Sequence, residues 1–238
     1  TPGLARHLGN ESLIKAEGKT GWVCAKRDGE SEGRCIETWF GLCHAWAPAA
    51  AMVAEPERSV MHNGVEFKIN DIKALISLSY TSGLKVRFLS KRCNEKDDGT
   101  EEGIQYDEFG VPTEEFEECA DTNAGTFHVV AANYLGVKKK SFVEDRTFDY
   151  EVWNQPVMGF EVKPGFPKKL SASQANQLMS AEGEDSYLFN SKATQWRHVK
   201  TAVSYIVESP SELDGNLQDD IAKYTRQDHY EYIIELDN

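Results

Sequence analysis

The spacing of apolar and polar positions divides the chain into segments of different character. Residues 1–38 are rich in glycine and charge, show no sustained period, and read as loops. An alanine-rich run from Ala45 or Ala47 to about Val53 reads as a helix. A second helix takes Asn70 or Asp71 as its N-cap, puts Ile72, Leu75, Ile76 and Tyr80 on one face, and ends at Gly83. Lys85 to Leu89 reads as a strand. Phe127 to Leu135 and Ser141 to Val143 read as the two arms of a hairpin, and Asp149 to Pro167 as turns with several prolines. Val199 to Val207 and Tyr230 to Leu236 alternate with a period of two, as half-buried strands do. There is no internal repeat. The expectation is a single α+β domain over residues 1–238, with a helix packed on an antiparallel sheet.

Composition narrows the partners. Of the 238 residues 40% are hydrophobic and 11% aromatic, which suits a globular protein and excludes a disordered one. A formal net charge of −13 argues against nucleic acid, which needs a basic footprint. No apolar run approaches the roughly 20 residues that span a bilayer; the longest, Ala45 to Ala54, is interrupted by Pro48. The charge is also local. Between Cys93 and Cys119 stand eleven acids against Lys96 alone, a net of −10 that leaves −3 for the rest.

The five cysteines are Cys24, Cys35, Cys43, Cys93 and Cys119, and none forms the Cys-x-x-Cys pair of a zinc site. The simplest pairing joins Cys24 to Cys35 across a polar, glycine-containing loop and Cys93 to Cys119 across the acidic one, leaving Cys43 over. Each bond would contribute roughly 2–4 kcal/mol by restricting the unfolded chain. The chain starts at Thr1 without a signal peptide, so it reads as a trimmed fragment of a secreted precursor, and Asn10-Glu11-Ser12 is a glycosylation sequon. The alternative is a cytosolic protein with five reduced, buried cysteines.

Cys43 is the candidate nucleophile. It follows Gly41 in Trp39-Phe-Gly-Leu-Cys43-His-Ala-Trp-Ala and precedes the first helix. A thiol at a helix N-terminus meets the positive end of the dipole, which favours the thiolate, and its backbone N–H can help hold an oxyanion. The plainer reading is a buried cysteine among aromatic residues. A thiol nucleophile needs a base, usually a histidine oriented by a carboxylate. Of His7, His44, His62, His128, His198 and His229, only His128 sits in a hairpin arm. A two-residue Gly136-Val137 loop would set Asp145 directly opposite His128 on the same face. Asp149 is the alternative third residue, and the plain reading of His128 and Asp145 is a cross-strand ion pair.

Several segments together resemble the transglutaminase elicitor family of oomycete (Phytophthora-type) cell walls. They are Trp39 to Ala49, Gly125-Thr-Phe-His128-Val-Val, Glu144-Asp145-Arg-Thr147 and, most specifically, Val152-Trp153-Asn-Gln-Pro156-Val-Met-Gly-Phe160. The resemblance implies a papain-like cysteine hydrolase or transglutaminase-type core with Cys43, His128 and Asp145 as its catalytic triad. It implies a calcium-dependent protein-glutamine γ-glutamyltransferase that joins glutamine to lysine side chains through a Cys thioester. It also implies a secreted, cell-wall location and a plant surface receptor that recognises an exposed peptide around Trp153–Phe160, chiefly through Trp153 and Pro156. Met158 and Glu161 stand where that peptide usually carries basic residues. Trp39 would supply an oxyanion donor or an aromatic wall. Calcium would find hard oxygen donors in Asp97, Asp98 and Glu101 around Gly99, or near Asp121 and Asn123. Two other readings of the same residues are a papain-like cysteine protease and a non-enzymatic elicitor or binding protein.

Overall fold

A computed structural model describes residues 13–14, 22–25, 31, 33–90, 122–147, 151–179, 192–209 and 220–237. The chain divides into two compact units, Thr1–Leu42 and Cys43–Asn238.

The first unit carries a three-stranded antiparallel sheet of β1 (Leu13–Ile14), β2 (Trp22–Ala25) and β3 (Arg34–Glu37), in that order. The expectation of loops over residues 1–38 is corrected here. Strands of two to four residues are too short to display a period. Cys24 and Cys35 stand opposite each other in the ladder and form a disulfide, as their spacing predicts.

In the second unit, helix α1 (Cys43–Met52) starts on the cysteine itself and packs against α2 (Ile69–Gly83) and the sheet. Ala45, Ala47 and Ala49 are its buried residues. Their small side chains let the helix backbone approach its neighbours closely, and α1 runs through Pro48 unbroken. Between the two helices, β4 (Val60–His62) and β5 (Val65–Phe67) form a hairpin. Its turn residues Asn63 and Gly64 both have positive φ, 49° and 77°, as a two-residue turn of the mirror-image type requires. Helix α2 begins at Ile69, with Lys68 as N-cap and the Asp71 carboxylate accepting the Lys68 N–H at 2.9 Å. Leu75, expected on its apolar face, is 51% exposed.

The main sheet runs β10 (Thr225–Leu236), β9 (Gln195–Ile206), β7 (Asn154–Val162), β6 (Val143–Asp145), with β8 (Lys168–Leu170) also paired to β9. The alternating segments near the C-terminus are therefore strands, as read, and they pair antiparallel from Thr225↔Ile206 to Leu236↔Gln195. Val157, Val199, Thr201 and Val203 are fully buried and mark the centre of the core.

Four expectations fail in this unit. Phe127 to Leu135 is not a hairpin arm. It lies in helix α3 (Ala124–Ala131), which runs into a π-helical turn, Ala132–Val137. A short apolar run suits a strand or a buried helix equally, and Asn123 decides it by capping: its side chain accepts the Thr126 N–H at 2.9 Å. Asp145 consequently faces Asn154 on β7, not His128. Lys85 to Leu89 forms no strand; Val86 and Phe88 are 66% and 74% exposed. Asp149 to Pro167 contains β7, an inner strand, despite Pro156. Pairing with β9 begins only at Val157, so the N–H that Pro156 lacks leaves no ladder bond unmade.

Candidate active site

Cys43 is a free, half-buried thiol at the first position of α1. The first N–H groups of a helix have no intrahelical acceptor, so its own N–H is available to an anion. The thiol donates to the Val152 carbonyl at 3.3 Å, and the Asn154 side-chain amide donates to the sulfur at 3.5 Å. Both partners come from the segment that leads into β7. The thiol is thus held between one acceptor and one donor 109 and 111 residues away.

Asp145 fixes that segment. Its Oδ1 accepts the Trp153 N–H at 2.9 Å, the Thr147 hydroxyl at 3.0 Å and the Thr147 N–H at 3.3 Å. The Arg146 N–H donates in the opposite direction, to the Trp153 carbonyl at 3.1 Å. Thr147 also donates to the Glu151 carbonyl. The β6–β7 connection is therefore closed by the aspartate and the threonine together, and Asn154 stands where they place it. Asp145 Oδ2 has no hydrogen-bond partner among the described residues.

His128 stands elsewhere. Its Nδ1 is 2.8 Å from the Tyr232 hydroxyl, and its ring lies edge-on to Phe160 at 5.7 Å. Strand alternation separates the two groups. Asp145 pairs with Asn154, so both point to the face that meets Cys43. The bulge between Val157 and Gly159 then resets β7, so that Phe160 shares the opposite face with Val203 and, through β9, with Tyr232. Phe160 is six residues beyond Asn154, roughly 20 Å along a strand. The structure thus joins Cys43 and Asp145 through the Val152–Asn154 segment and holds His128 against Tyr232. Burial lowers the pKa of His128 and raises that of Tyr232, so both favour their neutral forms. Among the described histidines none is hydrogen-bonded to Cys43 or Asp145. His44 and His229 are exposed, His62 meets Asn63, and His198 meets Glu231 at 2.7 Å.

A half-buried polar cluster occupies the His128 face. Arg146 contacts Glu144 at 3.1 Å, the Tyr230 hydroxyl at 2.8 Å and Asp228, with its guanidinium 4.5 Å from the Tyr205 ring centre. Burial pushes the Glu144 pKa up although Arg146 opposes it. These residues tie β6 to β9 and β10, and so hold the sheet end that carries Asp145.

The remaining sequence-derived candidates separate clearly. Trp39 belongs to the first unit, where its ring lies 5.6 Å from Phe40. Trp153 is 38% exposed and its indole N–H donates to Glu151 at 2.9 Å. Pro156 is buried, as are Gln155 and Val157 on either side of it. The expectation of an exposed peptide over Trp153–Phe160 is therefore corrected: it enters an inner strand, and only Trp153 and Met158 are exposed. Asp97, Asp98, Glu101, Asp121, Cys93 and Cys119 lie outside the described residues, and so does Asp149. Asn123 serves as the cap of α3. Among the described residues no group of three or more His, Cys, Asp or Glu is arranged to hold a metal ion, and no helix is long and apolar enough to cross a membrane. Asn154 and Val152 are the site residues that sequence reasoning missed. Their motif reads as a surface peptide, and nothing in its spacing links it to Cys43.

The family described as "Transglutaminase elicitor" matches residues 10–238. Among solved structures, the crystal structure of the GP42 transglutaminase from Phytophthora sojae is 34% identical, with a TM-score of 0.66 over 94% of this chain. The chain spans 56% of that structure's length. No curated protein sequence matches.

Proposed function

The chain belongs to the transglutaminase elicitor family, and from that premise we propose that it is a protein-glutamine γ-glutamyltransferase acting through Cys43. The observation that carries this reading is the setting of the sulfur: a free thiol at a helix N-terminus with a carbonyl acceptor and an amide donor. The Cys43 thiolate attacks the γ-carboxamide carbon of a protein glutamine. The tetrahedral intermediate collapses with a proton to the leaving nitrogen, releasing ammonia and leaving a thioester. A lysine amine loses a proton, attacks the thioester carbon, and expels the thiolate, which leaves an isopeptide bond.

The family resemblance assigns the proton transfers to His128, whereas its contacts with Tyr232 and Phe160 place it on the sheet face away from Cys43. Its neutral form suits a base, and if Nδ1 donates to the Tyr232 oxygen, Nε2 is left to accept a proton. Asp145 orients the Val152–Asn154 segment, and its Oδ2 is the oxygen that would orient a histidine. Calcium dependence belongs to the same reading. The carboxylates of Asp97, Asp98 and Glu101 are the hard donors that would hold the ion, which would neutralise part of the net −10 between Cys93 and Cys119. Protein glutamines and lysines are the substrates, and the extracellular cell wall is the location. Elicitor recognition by a plant receptor would use the exposed Trp153 in the folded chain.

Incorporation of a fluorescent primary amine into casein tests the reading. The chain is expected to label casein, to stop with a calcium chelator, and to lose labelling in Cys43→Ala. Casein cleavage without amine incorporation would favour the cysteine-protease reading. Activities unchanged in Cys43→Ala would leave a non-enzymatic elicitor.

A further inference from the structure

The residue before the buried stretch of β7, Asn154, touches the reacting sulfur. Its amide Nδ2 lies 3.5 Å from Cys43 Sγ, while the thiol proton is directed to the Val152 carbonyl at 3.3 Å. These two contacts respond oppositely to ionisation. The bond to Val152 needs the S–H and is lost with the proton. The bond from Asn154 strengthens when the sulfur becomes anionic, because a charged acceptor roughly doubles a hydrogen bond's strength. In a thioester or its tetrahedral precursor the acyl oxygen sits on the carbon bonded to Sγ, so a donor in contact with the sulfur is also within reach of that oxygen.

We propose that Asn154 is a catalytic residue whose side-chain amide binds the negative charge formed at Cys43, first on the thiolate and then on the acyl oxygen. The Cys43 backbone N–H is the second donor. Asp145 is a positioning residue for Asn154, because it holds the Trp153 N–H one residue earlier. This arrangement assigns the amide donor to β7 within the second unit. The acyl-oxygen half of the assignment rests on the transferase reading above. The thiolate half does not.

The test therefore has two arms, on Asn154→Asp, which keeps the shape and replaces the donor by an acceptor, and on Asn154→Ala. The first arm measures the rate at which iodoacetamide alkylates Cys43 at fixed neutral pH, with the modified cysteine identified by peptide mapping. Asn154→Ala is expected to slow alkylation by about tenfold, the effect of one hydrogen bond to a charged atom. The second arm measures amine incorporation into casein, where kcat is expected to fall by about 100-fold with KM little changed. A merely structural role for Asn154 would leave a folded Asn154→Ala protein alkylating at the unaltered rate, and that result overturns the proposal; Asn154→Asp adds like-charge repulsion at the sulfur and is expected to slow alkylation further. If Asn154→Ala does not fold, a folded Asn154→Asp that alkylates normally overturns it equally. Slowed alkylation together with no amine incorporation by the unaltered protein would defeat the transferase reading and keep Asn154 as the donor to the thiolate.

Discussion

Asp145 and Trp153 are joined across the β6–β7 connection by a carboxylate that accepts a backbone N–H at 2.9 Å. The bond is local in the fold, eight residues in sequence, yet its consequence is remote. It fixes the residue before Asn154, and Asn154 meets the sulfur of Cys43.

Removing that carboxylate should therefore loosen the site as well as the fold. Asp145→Ala takes an acceptor from Trp153 N and from both donors of Thr147. The expected cost is about 2–3 kcal/mol, within the range for hydrogen bonds to a charged group in a partly buried setting. Asp145→Asn keeps one acceptor oxygen and should lose less. Urea denaturation of the two variants checks the order, and an Ala variant as stable as the Asn variant would refute it.

The burial of Val157 predicts a structural effect of similar size with no chemical one. It has no exposed surface and stands where β7 meets β9, beside the bulge. Val157→Ala should lower stability by about 2–3 kcal/mol through lost burial and an incompletely collapsed cavity. The denaturant midpoint should shift while its m-value does not.

His128 predicts a pH dependence. Its folded pKa lies below the ordinary 6.5 because of burial. The unfolded chain therefore binds the proton more readily than the folded one in the interval below 6.5. This contribution to stability is fully present above about pH 6.5 and is lost as pH falls towards the folded value. Denaturation between about pH 5 and 8 should show stability rising with pH. His128→Gln should flatten that slope, and an unchanged slope would show that other groups set it.

The disulfide predicts a local weakness under reduction. Cys24 and Cys35 are 11 residues apart, and closing a loop of that size is worth about 3 kcal/mol in the chain-entropy account. A Cys24→Ser/Cys35→Ser double variant should bring faster proteolysis within residues 1–42. Equal proteolysis of the double variant and the unaltered chain would show that the strands hold without the bond.

Burial of Pro156 separates the folded chain from its own peptide. A receptor that reads both Trp153 and Pro156 can reach the proline only when β7 is released, since Pro156 is buried and Trp153 is not. A synthetic peptide of residues 152–163 should elicit the plant response at lower concentration than the intact folded chain. Equal potency would show that the folded surface is sufficient.

Much of this was legible in the residues. The Cys24–Cys35 bond, the leftover Cys43, the helix that follows it and the two long C-terminal strands all follow from spacing that local chemistry enforces. A free thiol before an alanine-rich helix and a period of two over seven to nine residues have few other solutions. The family was legible too, through motifs long enough to be specific. The short strands of residues 1–37 and the state of Phe127 to Leu135 were not. The first are too brief for a period, and the second is an apolar run that two backbones satisfy equally until Asn123 caps one of them.

The neighbours of the sulfur belong to the tertiary structure alone. Val152 and Asn154 lie over a hundred residues from Cys43, and their approach depends on α1 packing against β7 and on the register of β7 with β6. The free thiol and the helix that follows it were legible because a helix terminus is a local feature. Strand pairing decided its partners, since one bulge between Val157 and Gly159 determines which side chains of β7 share a face. That register sets Asn154 beside Cys43 with Asp145 paired to it, and puts Phe160, with His128 against it, on the opposite face of the sheet.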